Sequence, residues 1–217
     1  MTVKPDLSLY LVTDRELCLG RPVERIVEAA VRGGVSCVQL REKSLPTFAF
    51  VEAARSLKTI LAPLGVPLII NDRVDVALAA GADGVHLGQG DMSYADARAL
   101  LGPGAIIGLS VESTEQALEA GAWDVDYLGV SPVFVTPTKP DLRTAWGLEG
   151  IRRLKKESGH VLIAIGGIHP DNAAQVLEAG ADGLAVVSAI CSASDPEAAS
   201  RRLRQTIERH RSKAARS

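Results

Sequence analysis

Short apolar runs alternate with segments of helical periodicity along the whole chain. Eight of these runs are candidate β-strands, and most are continuously apolar, as in Val-Leu-Ile-Ala-Ile at 161–165. A strand without polar alternation is typical of a parallel sheet that is covered by helices on both faces. The predicted strands are Leu7–Thr13, Ser36–Leu40, Pro67–Ile70, Gly84–Leu87, Ala105–Leu109, Tyr127–Val130, Val161–Ile165 and Gly183–Val187.

Helical segments occupy the intervals between the predicted strands. Three of them begin at proline or serine and stop just before a glycine, at Pro22–Arg32, Ser113–Ala120 and Pro170–Ala179. Proline and serine favour the first turn of a helix, and glycine favours the position just after its last turn. Strands that alternate with helices of this length predict βαβ units.

A short internal repeat supports the same architecture. Ala-Gly-Ala-Asp-Gly occurs at 80–84 and 179–183, each time before a predicted strand, and Ala-Gly-Ala-Trp-Asp at 120–124 is a looser copy. Eight right-handed βα units close more readily into a barrel than they form an open sheet. An open doubly wound sheet would favour a glycine-rich turn after the first strand, where this chain has Thr-Asp-Arg-Glu at 13–16. We therefore predict one (β/α)₈ TIM barrel spanning residues 1–217, with its chemistry at the carboxyl ends of the strands.

Polar side chains follow the predicted strands at those ends. Gln39-Leu40-Arg41-Glu42-Lys43 follows the second strand. A period of two places Gln39, Arg41 and Lys43 on one face, where two cations suit a polyanion such as diphosphate. The competing interpretation is a surface ion-pair patch that leads into the next helix.

Two acids follow the next two strands. Asn71-Asp72 comes after the third and Asp91 after the fourth. Neighbouring strands lie about 5 Å apart, so both carboxylates could bind one Mg²⁺ together with substrate phosphates. Alternatively, Asp72 caps the helix Val74–Ala80 and Asp91 is a turn residue.

The later loops suit a smaller anion. Gly166-Gly167 follows the seventh strand and Ser188 the eighth, the pair of loops at which barrels often bind phosphate. The long loop after the sixth strand carries Thr136, Thr138 and Lys139 between prolines and is either a binding loop or an ordinary surface loop. Ser110, after the fifth strand, either orients a substrate group or starts a turn. Cations with acids on one side and backbone donors on the other suggest two anionic ligands and a transfer reaction.

Taken together, these motifs resemble those of thiamine-phosphate synthases. The resemblance spans roughly residues 7–208, and the order of its motifs is specific. They are QLREK at 39–43, NDRVDVALAAGADGVHLGQGD at 71–91, SPVFVTPTKPD at 131–141, IGGI at 165–168 and VVSAI at 186–190.

The resemblance implies a TIM-barrel transferase. It would join a hydroxymethylpyrimidine diphosphate to a thiazole phosphate, releasing pyrophosphate. It implies contacts to the pyrimidine diphosphate from Gln39, Leu40, Arg41, Glu42, Lys43, Asn71, Ser110 and Lys139. It implies contacts to the thiazole phosphate from Thr136, Pro137, Thr138, Gly167, Val187 and Ser188. Asp72 and Asp91 would bind Mg²⁺, and the catalytic groups would be Arg41, Lys43, Ser110 and Lys139.

One position departs from the family pattern. Many relatives have histidine two residues after the serine of the fifth loop, where this chain has Glu112. We assign no catalytic role to Glu112, and its presence argues against the related thiazole tautomerase activity. Two further functions stay open, a sugar-phosphate epimerase or isomerase and a non-catalytic regulatory paralogue. His86, at the end of an apolar strand, is interpreted as a hydrogen-bonded structural residue.

Composition bears on the possible partners and on the cell compartment. The chain has 24 basic and 26 acidic side chains, without the basic excess of a nucleic-acid-binding protein. Residues Arg201–Arg216 are locally basic, and we expect a last helix that frays from about residue 210. The 3 cysteines form no Cys-x-x-Cys motif, so we expect a reducing cytoplasm and neither disulfides nor zinc. We expect no signal peptide and no membrane span, whereas homo-oligomerisation stays open.

Overall fold

The computed structural model describes residues 5–135 and 145–215 and shows a closed barrel of eight parallel strands. Each strand pairs with its neighbours in sequence, and the eighth pairs with the first. The predicted (β/α)₈ architecture is therefore confirmed. The strands are β1 Leu9–Val12, β2 Cys37–Leu40, β3 Leu68–Asn71, β4 Gly84–Leu87, β5 Ile106–Val111, β6 Tyr127–Val130, β7 Leu162–Ile165 and β8 Gly183–Val186.

Two strand ends differ from the prediction in a way that matters for the site. Strand β5 continues to Val111, so Ser110 lies within the strand and pairs with Gly129 of β6. Strand β3 includes Asn71, which pairs with His86. Both residues lie at the open end of the barrel. A side chain that points inward there is not packed in the apolar core, so a polar residue can belong to the strand.

Helices surround the barrel between successive strands. Ser113 and Ser93 each accept a hydrogen bond from the backbone N–H three residues later and begin the helices that follow them. The third predicted helix begins at Ala173, later than expected, after a turn in which the Asn172 side chain accepts from the His169 N–H. The helices are α1 Val23–Arg32, α2 Thr47–Leu61, α3 Val74–Ala80, α4 Tyr94–Leu101, α5 Thr114–Glu119, α6 Gly147–Glu157, α7 Ala173–Glu178, α8 Ser188–Cys191 and α9 Pro196–Ala214.

Alternation along the strands divides the apolar side chains into two layers. The larger layer lies between strands and helices and includes Val38 and Leu40 of β2. The smaller layer fills the barrel interior and includes Tyr10, Tyr127 and Ile163. The interior layer forms the floor beneath the open end of the barrel.

Aspartates at or near the sequence repeat bind the starts of strands at the opposite end of the barrel. Asp83, Asp126 and Asp182 each precede an even-numbered strand, and each accepts a hydrogen bond from a backbone N–H at the start of the preceding strand at 2.8 Å. Each also pairs with a cation on the helix that precedes that same strand: Lys58 of α2, Arg98 of α4 and Lys155 of α6. In the looser copy at 120–124 the aspartate that takes this position is Asp126, two residues beyond the motif.

The last helix is anchored to the start of the barrel. Helix α9 continues to Ala214, and the fraying expected from about residue 210 stays a prediction. Arg204 and Arg211 of this helix pair with Asp6 at 3.2 and 3.6 Å, which ties the helix to the chain before β1. Within the part of the chain that the structure describes, no helix is both long and apolar enough to span a bilayer.

Candidate active site

A cavity of about 530 Å³ opens at the carboxyl ends of the strands. It brings together ten of the residues singled out in the sequence, although they come from six of the eight βα units. These are Gln39, Arg41, Lys43, Asn71, Asp72, Asp91, Ser110, Gly167, Val187 and Ser188. The chemistry predicted for the strand ends therefore converges on one site.

The two predicted metal ligands, Asp72 and Asp91, meet on the wall of this cavity. Each carboxyl group lies close enough to the other to shift its pKa. Asp72 does not cap α3, because Arg73 occupies the capping position. Its backbone has a φ of +63°, a left-handed conformation that is uncommon for a residue with a side chain. Asp91 does take part in a turn, since it accepts the Gly88 N–H at 2.7 Å.

The electrostatics of the two carboxylates are unequal. Burial would raise the pKa of Asp72, but hydrogen bonds from Lys43 and with Asp91 hold it below its usual value. Burial and the neighbouring Asp72 raise the pKa of Asp91, against the hydrogen bond from Gly88. Lys43 donates to Asp72 at 2.5 Å. Two acids beside one ammonium group, which pairs with Asp72, leave this wall attractive to a further cation.

The second strand separates its side chains as period two predicts. Arg41 lines the cavity and donates to Asp14 at 3.2 Å. Glu42 points the other way, with a side chain that is 3% exposed and paired with Arg15 at 2.6 Å. Leu40 is fully buried in the outer apolar layer. The resemblance named both Leu40 and Glu42 as substrate contacts, but neither side chain lines the cavity, because even-numbered positions face the helices here.

The floor of the cavity contains residues that the sequence did not reveal as a group. The Tyr10 and Tyr127 hydroxyls lie 2.8 Å apart, and His86 contacts both Tyr127 and Ser110. His86 is hydrogen-bonded, as predicted, and it also lines the cavity. A polar aromatic residue inside an otherwise apolar strand is the sequence signal that could have drawn attention to the tyrosines. Glu112 is not among the lining residues, and its backbone N–H donates to Gln116 at 2.7 Å.

The opposite wall is built from backbone. Gly166 and Gly167 have φ values of +104° and +67°, which favour glycine. Val187 and Ser188 follow β8 and begin the short helix α8. Arg21 holds the end of this helix by donating to the Cys191 and Ala193 carbonyls at 2.6 and 2.7 Å. This corner has the geometry at which barrels commonly bind a phosphate group.

The loop after β6 starts and ends beside that corner. The Val133 N–H donates to the Ile165 carbonyl at 2.9 Å, and the Phe134 N–H donates to the Gly166 carbonyl at 3.1 Å. On the returning side, the Trp146 N–H donates to the Pro132 carbonyl at 2.9 Å. The predicted contacts Thr136, Pro137, Thr138 and Lys139 lie outside the described residues and stay predictions.

Fold and cavity together define a barrel enzyme that acts on small phosphorylated molecules. A family model described as thiamine monophosphate synthase matches residues 9–190. The chain is 58% identical over 202 residues to the thiamine-phosphate synthase of Albidiferax ferrireducens, covering 93% of this chain and 92% of that one. It is 54% identical over 208 residues to that of Syntrophomonas wolfei, covering 96% and 100%.

A solved structure agrees with these relatives. The thiamine phosphate pyrophosphorylase from Pyrococcus furiosus superposes with a TM-score of 0.88 at 41% identity, covering 95% of this chain and 98% of that one. The chain therefore belongs to the thiamine-phosphate synthase family, a family of transferases.

Proposed function

We propose that this chain condenses 4-amino-2-methyl-5-(diphosphooxymethyl)pyrimidine with 4-methyl-5-(2-phosphooxyethyl)thiazole to give thiamine phosphate and pyrophosphate. The observation that carries this proposal is the meeting of Asp72, Asp91 and Lys43 on one wall of the cavity. Membership of the family supports the same assignment. The glycine and serine corner on the facing wall provides a separate place for the second phosphate.

The donor set fits Mg²⁺ as the resident metal. Carboxylate oxygens are hard ligands, and Mg²⁺ is often held by one or two carboxylates plus substrate phosphates and water. Over residues 5–135 and 145–215, no group of three or more potential metal ligands occurs, so Asp72 and Asp91 would leave room for phosphate oxygens. Burial, together with the neighbouring Asp72, raises the pKa of Asp91, and a cation bound between the two acids would favour the charged form. Mg²⁺ would supply neutralisation of the diphosphate charge.

The side chains of the site account for the rest of the reaction. Lys43 and Arg41 lie where they would bind the diphosphate and stabilise its charge as it leaves. The bond between the pyrimidine methylene carbon and the diphosphate oxygen breaks, and its electron pair leaves with pyrophosphate. The lone pair of the thiazole nitrogen then forms the new carbon–nitrogen bond. That nitrogen carries no proton, so the reaction needs no general base, and positioning of the two substrates contributes much of the rate. We extend the catalytic set to Ser110 and, by family resemblance, to Lys139.

Product analysis tests the proposal directly. The purified chain is incubated with both phosphorylated substrates, with Mg²⁺ or with excess EDTA, and thiamine phosphate and pyrophosphate are measured by mass spectrometry. We expect both products only when both substrates and the metal are present. Binding of both substrates without product would instead favour a regulatory paralogue.

Two substitutions test the acid pair. Asp72→Asn and Asp91→Asn should each lower turnover by roughly 10²-fold or more, because each removes a charge that would hold the metal. Asp75→Asn is the matched control, since Asp75 lies on α3 outside the cavity and pairs with Arg73. Full activity and unchanged Mg²⁺ dependence in both variants would refute the metal assignment.

A further inference from the structure

A chain of hydrogen bonds crosses the barrel interior beneath the cavity and joins side chains from five strands. The Gln39 Nε2–H donates to the Tyr10 hydroxyl at 3.0 Å, and the Tyr10 and Tyr127 hydroxyls lie 2.8 Å apart. The Tyr127 hydroxyl lies 3.0 Å from Nδ1 of His86, and Nε2 of His86 lies 2.8 Å from the Ser110 hydroxyl. We call these five residues the floor network.

The barrel is shaped to hold the rings of this network. A Cβ added at Gly108 of β5 would lie 2.1 Å from the Tyr127 ring, and one added at Gly129 of β6 would lie 2.8 Å from the His86 ring. The His86 and Tyr127 rings are stacked with centroids 5.5 Å apart. At Gly108 and Gly129, therefore, the rings of Tyr127 and His86 fill the space that a side chain would otherwise take. The close fit favours one orientation of each ring.

Counting protons gives the network a direction. Tyr10 and Tyr127 are almost fully buried, and burial raises the pKa of both phenols well above the usual value, so each keeps its single proton. The buried Tyr10 hydroxyl accepts from Gln39, so Tyr127 is the partner left for its proton, and a Tyr127 that accepts from Tyr10 would donate to Nδ1 of His86. His86 would then carry its proton on Nε2 and donate to Ser110, whose own hydroxyl proton is left for donation into the cavity.

We propose that Tyr10 and Tyr127 are positioning residues that set the tautomer of His86, making Ser110 a donor and Gln39 Oε1 an acceptor toward the substrate heterocycle. This inference rests on the proposed function for the identity of that heterocycle. A 4-aminopyrimidine offers ring nitrogens as acceptors and an amine as donor, which complements the two ends of the network. A 4-oxopyrimidine has a carbonyl acceptor at the position of the amine, facing the acceptor Gln39 Oε1. To bind it, all four hydrogen bonds of the floor network would have to reverse, because each hydroxyl has one proton.

The first test measures discrimination between two substrates. Tyr127→Phe removes one hydroxyl and keeps the ring that fills the space beside Gly108. We expect the ratio of kcat/KM for the 4-amino over the 4-oxo pyrimidine diphosphate to fall about tenfold or more, with KM for the thiazole phosphate unchanged. Tyr94→Phe is the matched control, because that hydroxyl donates to the Asp124 carbonyl outside the cavity. A ratio equal to that of the unmodified chain would overturn the proposal.

The second test needs no substrate and therefore separates this inference from the proposed function. Nitrogen-15 NMR of histidine-labelled protein reports the tautomer, with the His86 signals assigned by their loss in His86→Gln. We expect the Nε2-protonated form in the unmodified chain and a mixture of tautomers in Tyr127→Phe. Tyr10→Phe, which breaks the network one hydroxyl further from His86, should change the signals in the same direction and serves if Tyr127→Phe does not fold. A proton on Nδ1 in the unmodified chain would refute the proposed direction of the hydrogen bonds. If the NMR shows the expected tautomers but the product assay yields no thiamine phosphate, the positioning role stands and the proposed function is rejected.

Discussion

Asp83, Asp126 and Asp182 lie at the end of the barrel opposite the cavity (the lower end). They should stabilise the fold without affecting catalysis, and Asp83 gives the sharpest test. Its Oδ2 accepts the N–H of Leu68, the first residue of β3, at 2.8 Å, and its Oδ1 accepts from Lys58 at 2.6 Å. Leu68 is fully buried. Removing the carboxylate therefore deprives a buried N–H of its acceptor and breaks an ion pair at the same time.

The two contributions can be estimated separately. A buried donor that loses its partner costs about 1–3 kcal/mol. The Lys58 and Asp83 side chains are 26% and 34% exposed, so their ion pair contributes roughly 0.2–1 kcal/mol. Asp83→Ala should thus lower the free energy of unfolding by about 2–3 kcal/mol. Asp83→Asn keeps an acceptor oxygen for Leu68 and should cost about 1 kcal/mol.

Urea denaturation followed by circular dichroism measures both losses. Glu52→Ala is the control, since Glu52 pairs only with Arg55 one helical turn away among the described contacts and both side chains are half exposed. It should change stability by less than about 0.5 kcal/mol. All three variants should keep the turnover of the unmodified chain, because the site lies at the other end of the strands. Equal losses for Asp83→Ala and Asp83→Asn would show that the bond to the strand contributes nothing.

Three further predictions concern packing, the phosphate corner and the cysteines. Gly108→Ala should destabilise the fold by about 1–3 kcal/mol or prevent folding, because its Cβ would overlap the Tyr127 ring, whereas Gly104→Ala, with open space around it, should be tolerated in the same thermal melts. Gly167→Ala should raise KM for the thiazole phosphate more than KM for the diphosphate, because its Cβ would lie 2.8 Å from Cβ of Phe134; steady-state kinetics with the opposite pattern would mean that the two substrate halves are exchanged. All three cysteines are buried and free, so mass spectrometry after iodoacetamide treatment should find none modified in the native chain and all after denaturation.

The sequence predicts most of the fold because burial on both faces leaves a strong pattern. Every predicted strand corresponds to an observed strand, and no boundary is wrong by more than two residues; two of the errors at the open end concern site residues. There, Ser110 and Asn71 belong to strands although they are polar. An apolar run marks a strand only where the inward positions are packed, and at the open end those positions face the cavity.

Some residues of the site could be predicted from the local sequence pattern, and others could not. Period two correctly separates Arg41 and Lys43 from the outward-facing Glu42. The floor network was missed because Tyr10 and Tyr127 are 117 residues apart and meet across the barrel, not between neighbouring strands. Such a contact depends on closure of the barrel, which no segment of the sequence encodes by itself.

Aspartate has opposite roles at the two ends of these strands, and its partners distinguish them. At the lower end, Asp83 and Asp182 each accept a backbone N–H and pair with a lysine, so their charge is balanced within the fold. At the open end, Asp72 and Asp91 both line the cavity, and within the described residues their one ion pair is that of Lys43 with Asp72. Placing two carboxylates together without matching cations costs folding energy, and a fold retains such an arrangement where binding a cation or a charged substrate supplies the balance. Charge balance within the folded chain thus separates the aspartates at the lower end from the pair for which we propose a metal-binding role.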